Sequence, residues 1–160
     1  MRSEAPRVDL PVVMRCDENN RRAIVESLAS HGAAVHICAR TGADVEEAVR
    51  GWKSRGLEVT GSECDVSCPK SRAALVSEAS RVFGDKLDIL VSNVGFNIRK
   101  PTVDFTPDEY RRLMDTNLEA TFAVGRCYTM SSSFAFDPSN VSPRPRADRT
   151  IVTPTRQAYP

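Results

Sequence analysis

Between Arg21 and Gly95 the apolar positions alternate between a 3.6-residue period and short, near-continuous runs, which is the pattern of helices interleaved with buried parallel strands. Asn20 to Ser30 sets Ile24, Val25, Leu28 and Ala29 on one helical stripe, and Gly32 after His31 supplies the stop. Ala34 to Ala39 then reads as a short buried strand. A second helix, Ala43 to Ser54, carries Val45, Ala48, Val49 and Trp52 on one side and stops near Gly56. Leu57 to Thr60 returns as a strand that runs to Cys64-Asp65-Val66. Pro69 sits where a first helical turn tolerates it, and Leu75, Val76, Ala79, Val82 and Phe83 line a third helix ending at Gly84. Leu87 to Val91 is the next strand. Thr106-Pro107-Asp108-Glu109 combines an N-cap, a first-turn proline and two acids that suit the helix dipole, and it opens a long helix through Leu113, Leu118 and Phe122.

Both ends depart from this pattern. Val8 to Met14 is a strand by position, but Pro11 removes a ladder donor from what would be the central strand, so the sequence argues against it. From Thr129 onward five of the ten prolines follow Ser131 to Ser133 with no sustained apolar period, which predicts a loose tail without a fold role. The expected fold class is α/β: a partial doubly wound, Rossmann-like three-layer sandwich with a parallel sheet, incomplete after the fourth strand. It spans residues 8–128, with a disordered tail over 129–160.

Composition narrows the function classes. The 160 residues are 41% apolar, enough for one domain with a core and too few for two. Lys plus Arg numbers 22 against 21 for Asp plus Glu, so a net charge of +1 argues against nucleic acid and anionic membrane surfaces as partners. No run approaches the roughly 20 apolar residues of a membrane span. The first residues lack a hydrophobic core of a secretory signal, so a soluble, cytoplasmic chain is expected. Cys16, Cys38, Cys64, Cys68 and Cys127 contain no C-x-x-C pair, which fits reduced thiols rather than a disulfide framework or a metal site. His31 and His36 read as ordinary helix-end and strand residues.

The ordered series Ala33-Ala34-Val35 to Ala39-Arg40, Cys64-Asp65-Val66, Leu87-Asp88-Ile89-Leu90-Val91-Ser92-Asn93-Val94-Gly95 and Asp115-Thr116-Asn117-Leu118-Glu119-Ala120 resembles the short-chain dehydrogenase/reductase family, most closely its plant tropinone-reductase-like branch. The resemblance covers about Arg22 to Gly125. It implies an NADP(H)-dependent reduction of a small ketone, with the cofactor lying across the carboxyl ends of the strands. By that resemblance Arg40 grips a 2′-phosphate, pointing to NADP. Asp65 and Val66 match the positions that contact adenine. Asn93 and Gly95 match the turn where the backbone approaches the cofactor, with Ser92 and Val94 as departures from the family pattern. Asn117 matches the asparagine that holds the long helix and a water of the proton relay. Each position also has a plain structural reading: a solvated strand-end arginine, a turn aspartate, a core valine, a mid-helix asparagine.

Two family features are absent from these residues. Where a Thr-Gly-x-x-x-Gly-x-Gly turn should cradle the pyrophosphate, the chain has Met14-Arg15-Cys16-Asp17-Glu18-Asn19-Asn20-Arg21. Side chains forced into positive φ cost about 1–2 kcal/mol each, and Asp17 and Glu18 would repel phosphate by roughly 1–4 kcal/mol per close pair. Arg21 and Arg22 offset part of that, and Asp17 also reads simply as a helix cap. Nor is there a Tyr-x-x-x-Lys, the proton donor of the family's reduction. The expectation is therefore a truncated, divergent member that no longer catalyses. The alternatives are a non-catalytic nucleotide-binding module, a homo- or hetero-oligomeric partner pairing through the helix from about Pro107, or a product without selected function.

Overall fold

A computed structural model describes residues 11–14, 18–84, 87, 89–131 and 150–152. Five strands form one sheet in the order β3-β2-β1-β4-β5. They are β1 (Pro11–Met14), β2 (Val35–Ala39), β3 (Val59–Glu63), β4 (Ile89–Ser92) and β5 (Thr150–Val152), and every neighbouring pair is parallel. Helices α1 (Glu18–Ser30) and α2 (Gly42–Lys53) cover one face. α3 (Pro69–Phe83) and α5 (Ala120–Ser131) cover the other, with α4 (Pro107–Met114) leading into α5. This is the doubly wound α/β arrangement that the alternating periods predict.

Period-two alternation along β2 sends its side chains into two separate cores. Val35, Ile37 and Ala39 join Val25, Val45, Trp52, Val59 and Val91 beneath α1 and α2. Cys38 joins Cys64, Leu75, Leu90, Ala120 and Val124 beneath α3 and α5. His36 also lies inside, with Nδ1 2.9 Å from Thr60 Oγ1 and Nε2 2.9 Å from Ser62 Oγ, and its ring meets Phe83 edge-on. Burial pushes its pKa down, so the imidazole is a neutral, hydroxyl-bonded core group.

Three expectations need correction. Pro11 does not exclude the central strand: it is the first residue of β1, opposite Ile89, where a missing donor is tolerated, and β1 lies at the middle of the sheet. The sheet does not stop at the fourth strand, because Thr150–Val152 pairs with Ile89, Leu90 and Val91 as β5. That short strand lies within 129–160, as do the last residues of α5; residues 132–149 and 153–160 of the expected tail fall outside the described residues. Finally, the long helix from Pro107 is broken by a π-helical turn at Asp115–Glu119.

Local chemistry explains the helix ends. Thr106 Oγ1 accepts the Glu109 N–H at 3.2 Å, and the Glu109 carboxylate accepts the Thr106 N–H at 2.9 Å, a reciprocal capping box. The Lys100 ammonium, followed by the Thr106 donors, holds the Glu109 carboxyl down at about 2. α3 ends at Gly84, whose φ of 60° a side chain would resist.

Candidate functional site

In a sheet ordered 3-2-1-4-5, the order in which parallel strands are added reverses between β1 and β4, and loops at the carboxyl ends of the strands open a crevice there. Arg40 follows β2, Asp65 and Val66 follow β3, and Asn93 and Gly95 follow β4. The structure therefore places the predicted residues along one edge of the sheet.

Their environments differ. Arg40 is exposed, and its charge acts on Asp65. Asp65 Oδ1 accepts the Ser67 hydroxyl at 2.7 Å and the Ser67 N–H at 3.0 Å, which fixes the carboxylate in a turn. The Ser67 hydroxyl, the Ser67 amide and the positive charges of Arg40 and Arg112 together hold the Asp65 carboxyl below its usual range. Val66 is 6% exposed and packs with Leu75 and Ala79, so most of its surface serves the core.

Asn93 is 7% exposed, and its Nδ2 is buried without a hydrogen-bond partner among the described residues. Such a donor is costly unless something polar engages it. At Gly95 an added Cβ would come no nearer than 3.5 Å to Asn117 Oδ1, so the protein itself does not demand glycine there on steric grounds. Asn117 occupies the π-helical turn. Its Oδ1 accepts the Phe96 N–H at 3.0 Å and its Nδ2 donates to the Phe96 carbonyl at 2.9 Å. Both ends of the amide thus clamp the loop after β4 to the helix. π-turns recur at functional sites because the extra residue re-aims side chains.

Sequence reasoning missed two arginines. Arg72 is only 6% exposed; its Nη1 donates to the Val66 carbonyl at 2.7 Å and its Nη2 lies 3.9 Å from Glu119. It ties the turn after β3 to the end of the π-turn. Arg112 lies over the Phe96 ring at 5.2 Å and its charge also reaches Asp65. Their only signal was a cation at an apolar-face position of α3 and another in the last turn of α4. Arg22, expected to offset the acids near the phosphate position, instead pairs with Glu26 at 3.0 Å, one turn along α1. Residues 15–17, including Asp17, and the side chain of Glu18 fall outside what is described, as do Ser132 and Ser133.

No helix among the described residues is long and apolar enough to cross a membrane. Residues 22–131 match the family model for short chain dehydrogenase. A tropinone reductase homolog of Arabidopsis thaliana is 48% identical over 105 residues, 66% of this chain and 40% of that protein. A second, chloroplastic homolog from the same plant is 52% identical over 101 residues, 63% of this chain and 31% of that protein. The chain thus spans well under half the length of these curated relatives. A solved short-chain dehydrogenase/reductase from Serratia marcescens superposes with a TM-score of 0.71 at 27% identity, covering 77% of this chain and 50% of that one. An actinorhodin polyketide ketoreductase solved with NADPH shares the fold, with a TM-score of 0.70 at 23% identity.

Proposed function

We propose, from the premise that this chain belongs to the short-chain dehydrogenase/reductase family, that its 160 residues form the nucleotide-binding part of an NADP(H)-dependent oxidoreductase module without reductase activity of its own. Its full-length relatives would act on small ketones. The observation that carries the reading is the row of Arg40, Asp65, Asn93 and Gly95 along the carboxyl edge of a 3-2-1-4-5 sheet.

The residues fit the adenosine half of a dinucleotide. Arg40 would hold the 2′-phosphate with its planar fork. The turn that Asp65 and Ser67 fix would flank the adenine, and the orphaned Nδ2 of Asn93 would supply a buried donor. Gly95 would let the backbone come close. Asn117 would hold that backbone in place through both polar atoms of Phe96. A bound nicotinamide cofactor supplies hydride; a proton must come from the protein, and no Tyr-x-x-x-Lys in these residues provides one. Reduced thiols and the absence of an excess charge favour a cytosolic setting.

Arg40→Ala tests the assignment. Losing a charged hydrogen bond to phosphate is worth about 1.5–3 kcal/mol, so NADPH affinity measured by calorimetry should fall roughly 10- to 100-fold while NADH affinity stays unchanged. An equal loss for both nucleotides would remove the 2′-phosphate role.

A second reading, partner binding through the helix from Pro107, rests on its exposed apolar side chains. Tyr110 is 58%, Leu118 59% and Phe122 63% exposed, and they recur at four- and eight-residue intervals along one run of helix. A row of large apolar groups in water favours association. Phe122→Glu should convert a dimer, or a complex with a full-length relative, to monomer in sedimentation; a wild-type chain that is monomeric alone and in that mixture would refute the reading.

A further inference from the structure

Arg72 is the fourth residue of α3, and because side chains on a helix lean toward its amino end, the guanidinium reaches back over the turn after β3. There its Nη1 donates to the Val66 carbonyl at 2.7 Å and lies 3.4 Å from the Ser67 carbonyl. A buried cation in the opening turns of a helix is unfavourable on two counts: it has left water, and it opposes the helix dipole. Glu119, exposed and 3.9 Å away, offsets little of that. What the guanidinium does there is hold backbone. The Val66 carbonyl and the Ser67 N–H belong to one peptide group, and in a trans peptide they point in opposite directions. Arg72 takes the carbonyl in a buried bond. The exposed Asp65 takes the N–H on its Oδ1 at 3.0 Å. The plane of this peptide is thereby fixed from both edges. Without the guanidinium the buried carbonyl lacks its donor, and turning it toward water carries the Ser67 N–H away from Asp65.

We propose that Arg72 is the positioning residue of the adenine-side turn: it touches no part of a nucleotide, and acts by holding the Val66–Ser67 peptide in the one orientation that Asp65 also grips. Asp65 and Val66 then keep their places at the carboxyl end of β3, in the row that Arg40 begins after β2. The role toward a nucleotide rests on the function proposed above; the grip on the peptide does not.

Magnetic resonance and calorimetry on the full chain separate the two. The Ser67 hydroxyl and amide hold the Asp65 carboxyl low, so in Arg72→Met its titration should move up toward the ordinary carboxylate range. The Ser67 amide should exchange with solvent faster, and NADPH affinity should fall about tenfold, as a displaced turn no longer fits the nucleotide. Arg72→Lys keeps the charge but not the planar fork, so it should restore the Asp65 titration and the affinity only in part. Val124→Ala, which opens a cavity in the same core, should lower the unfolding midpoint and leave both values alone. An Asp65 titration in Arg72→Met equal to that of the wild type would overturn the proposal, as would a shift of the same size in Val124→Ala. Should Arg72→Met fail to fold, Arg72→Lys is read in its place, and wild-type values for both quantities would overturn it. An unchanged NADPH affinity beside a shifted Asp65 would overturn the link to the nucleotide alone. A wild type that binds neither NADPH nor NADH would sink the nucleotide reading, and the Asp65 titration would still decide the grip on the peptide.

Discussion

Gly61→Ala lowers the unfolding free energy by about 1–3 kcal/mol, the usual cost of overpacking a closed core. The new Cβ on β3 would stand 2.5 Å from Val45 Cγ1, 2.9 Å from Ile37 Cγ1 and 3.2 Å from the Ile37 carbonyl oxygen. Neither side chain can step aside, because Val45 is 3% and Ile37 0% exposed and both are branched at Cβ. Against a total stability of roughly 0.05–0.15 kcal/mol per residue, the change is a large fraction of the whole. Urea unfolding followed by circular dichroism should show a lower midpoint. In Gly61→Ala/Val45→Ala the loss should be smaller than the sum of the two single losses, since the second change empties the space that the first invades. An unaltered midpoint in Gly61→Ala would mean that α2 does not press on β3 as described.

The second large effect is chemical. Incubated with NADPH and a panel of small ketones, the 160-residue chain oxidises no NADPH above the buffer rate. A positioned general acid is worth about 10²- to 10⁴-fold in rate, and these residues hold no tyrosine with a lysine four positions later. Tyr110 is followed at that spacing by Met114 and Tyr128 by Ser132, while Tyr159 lies one residue before the last position given. Tyr110 stands exposed on α4. Steady NADPH consumption that scales with protein concentration and ketone would refute the prediction.

Most of the architecture was legible because each helix declares one apolar stripe. Val25 with Leu28, Val45 with Trp52 and Leu75 with Ala79 all turned out to face the sheet. The capping box at Thr106 and the glycine stop at Gly84 were equally readable, since caps are decided by residues within one turn. β1 was misjudged for a reason of position within the strand: a proline costs a ladder bond only where its missing N–H would have paired, and Pro11 is the first residue. β5 was missed because three residues carry too little pattern, and their place comes from pairing with β4, more than fifty residues earlier.

The candidate site divides along the same line. Arg40, Asp65, Asn93 and Gly95 could be aligned by motif because each falls a fixed step beyond a strand. Arg72 and Arg112 could not, since their work is done across the chain: Arg72 on the Val66 carbonyl and near Glu119, Arg112 over Phe96. Asn117 was found by motif, but the π-turn that carries it and the paired bonds to Phe96 were not visible, because they depend on the approach of a loop twenty-one residues away.

By itself, then, the order of residues determined the alternation of helix and strand, the faces that each helix buries and the absence of a Tyr-x-x-x-Lys, all of which are set by local spacing and side-chain chemistry. Only the tertiary structure decided that β1 sits at the centre, that Asp65 is fixed by Ser67 within reach of the Arg40 and Arg112 charges, and that Asn117 clamps the loop at Phe96. Those are consequences of distance in space, which chain position specifies only after the sheet has brought its strand ends together.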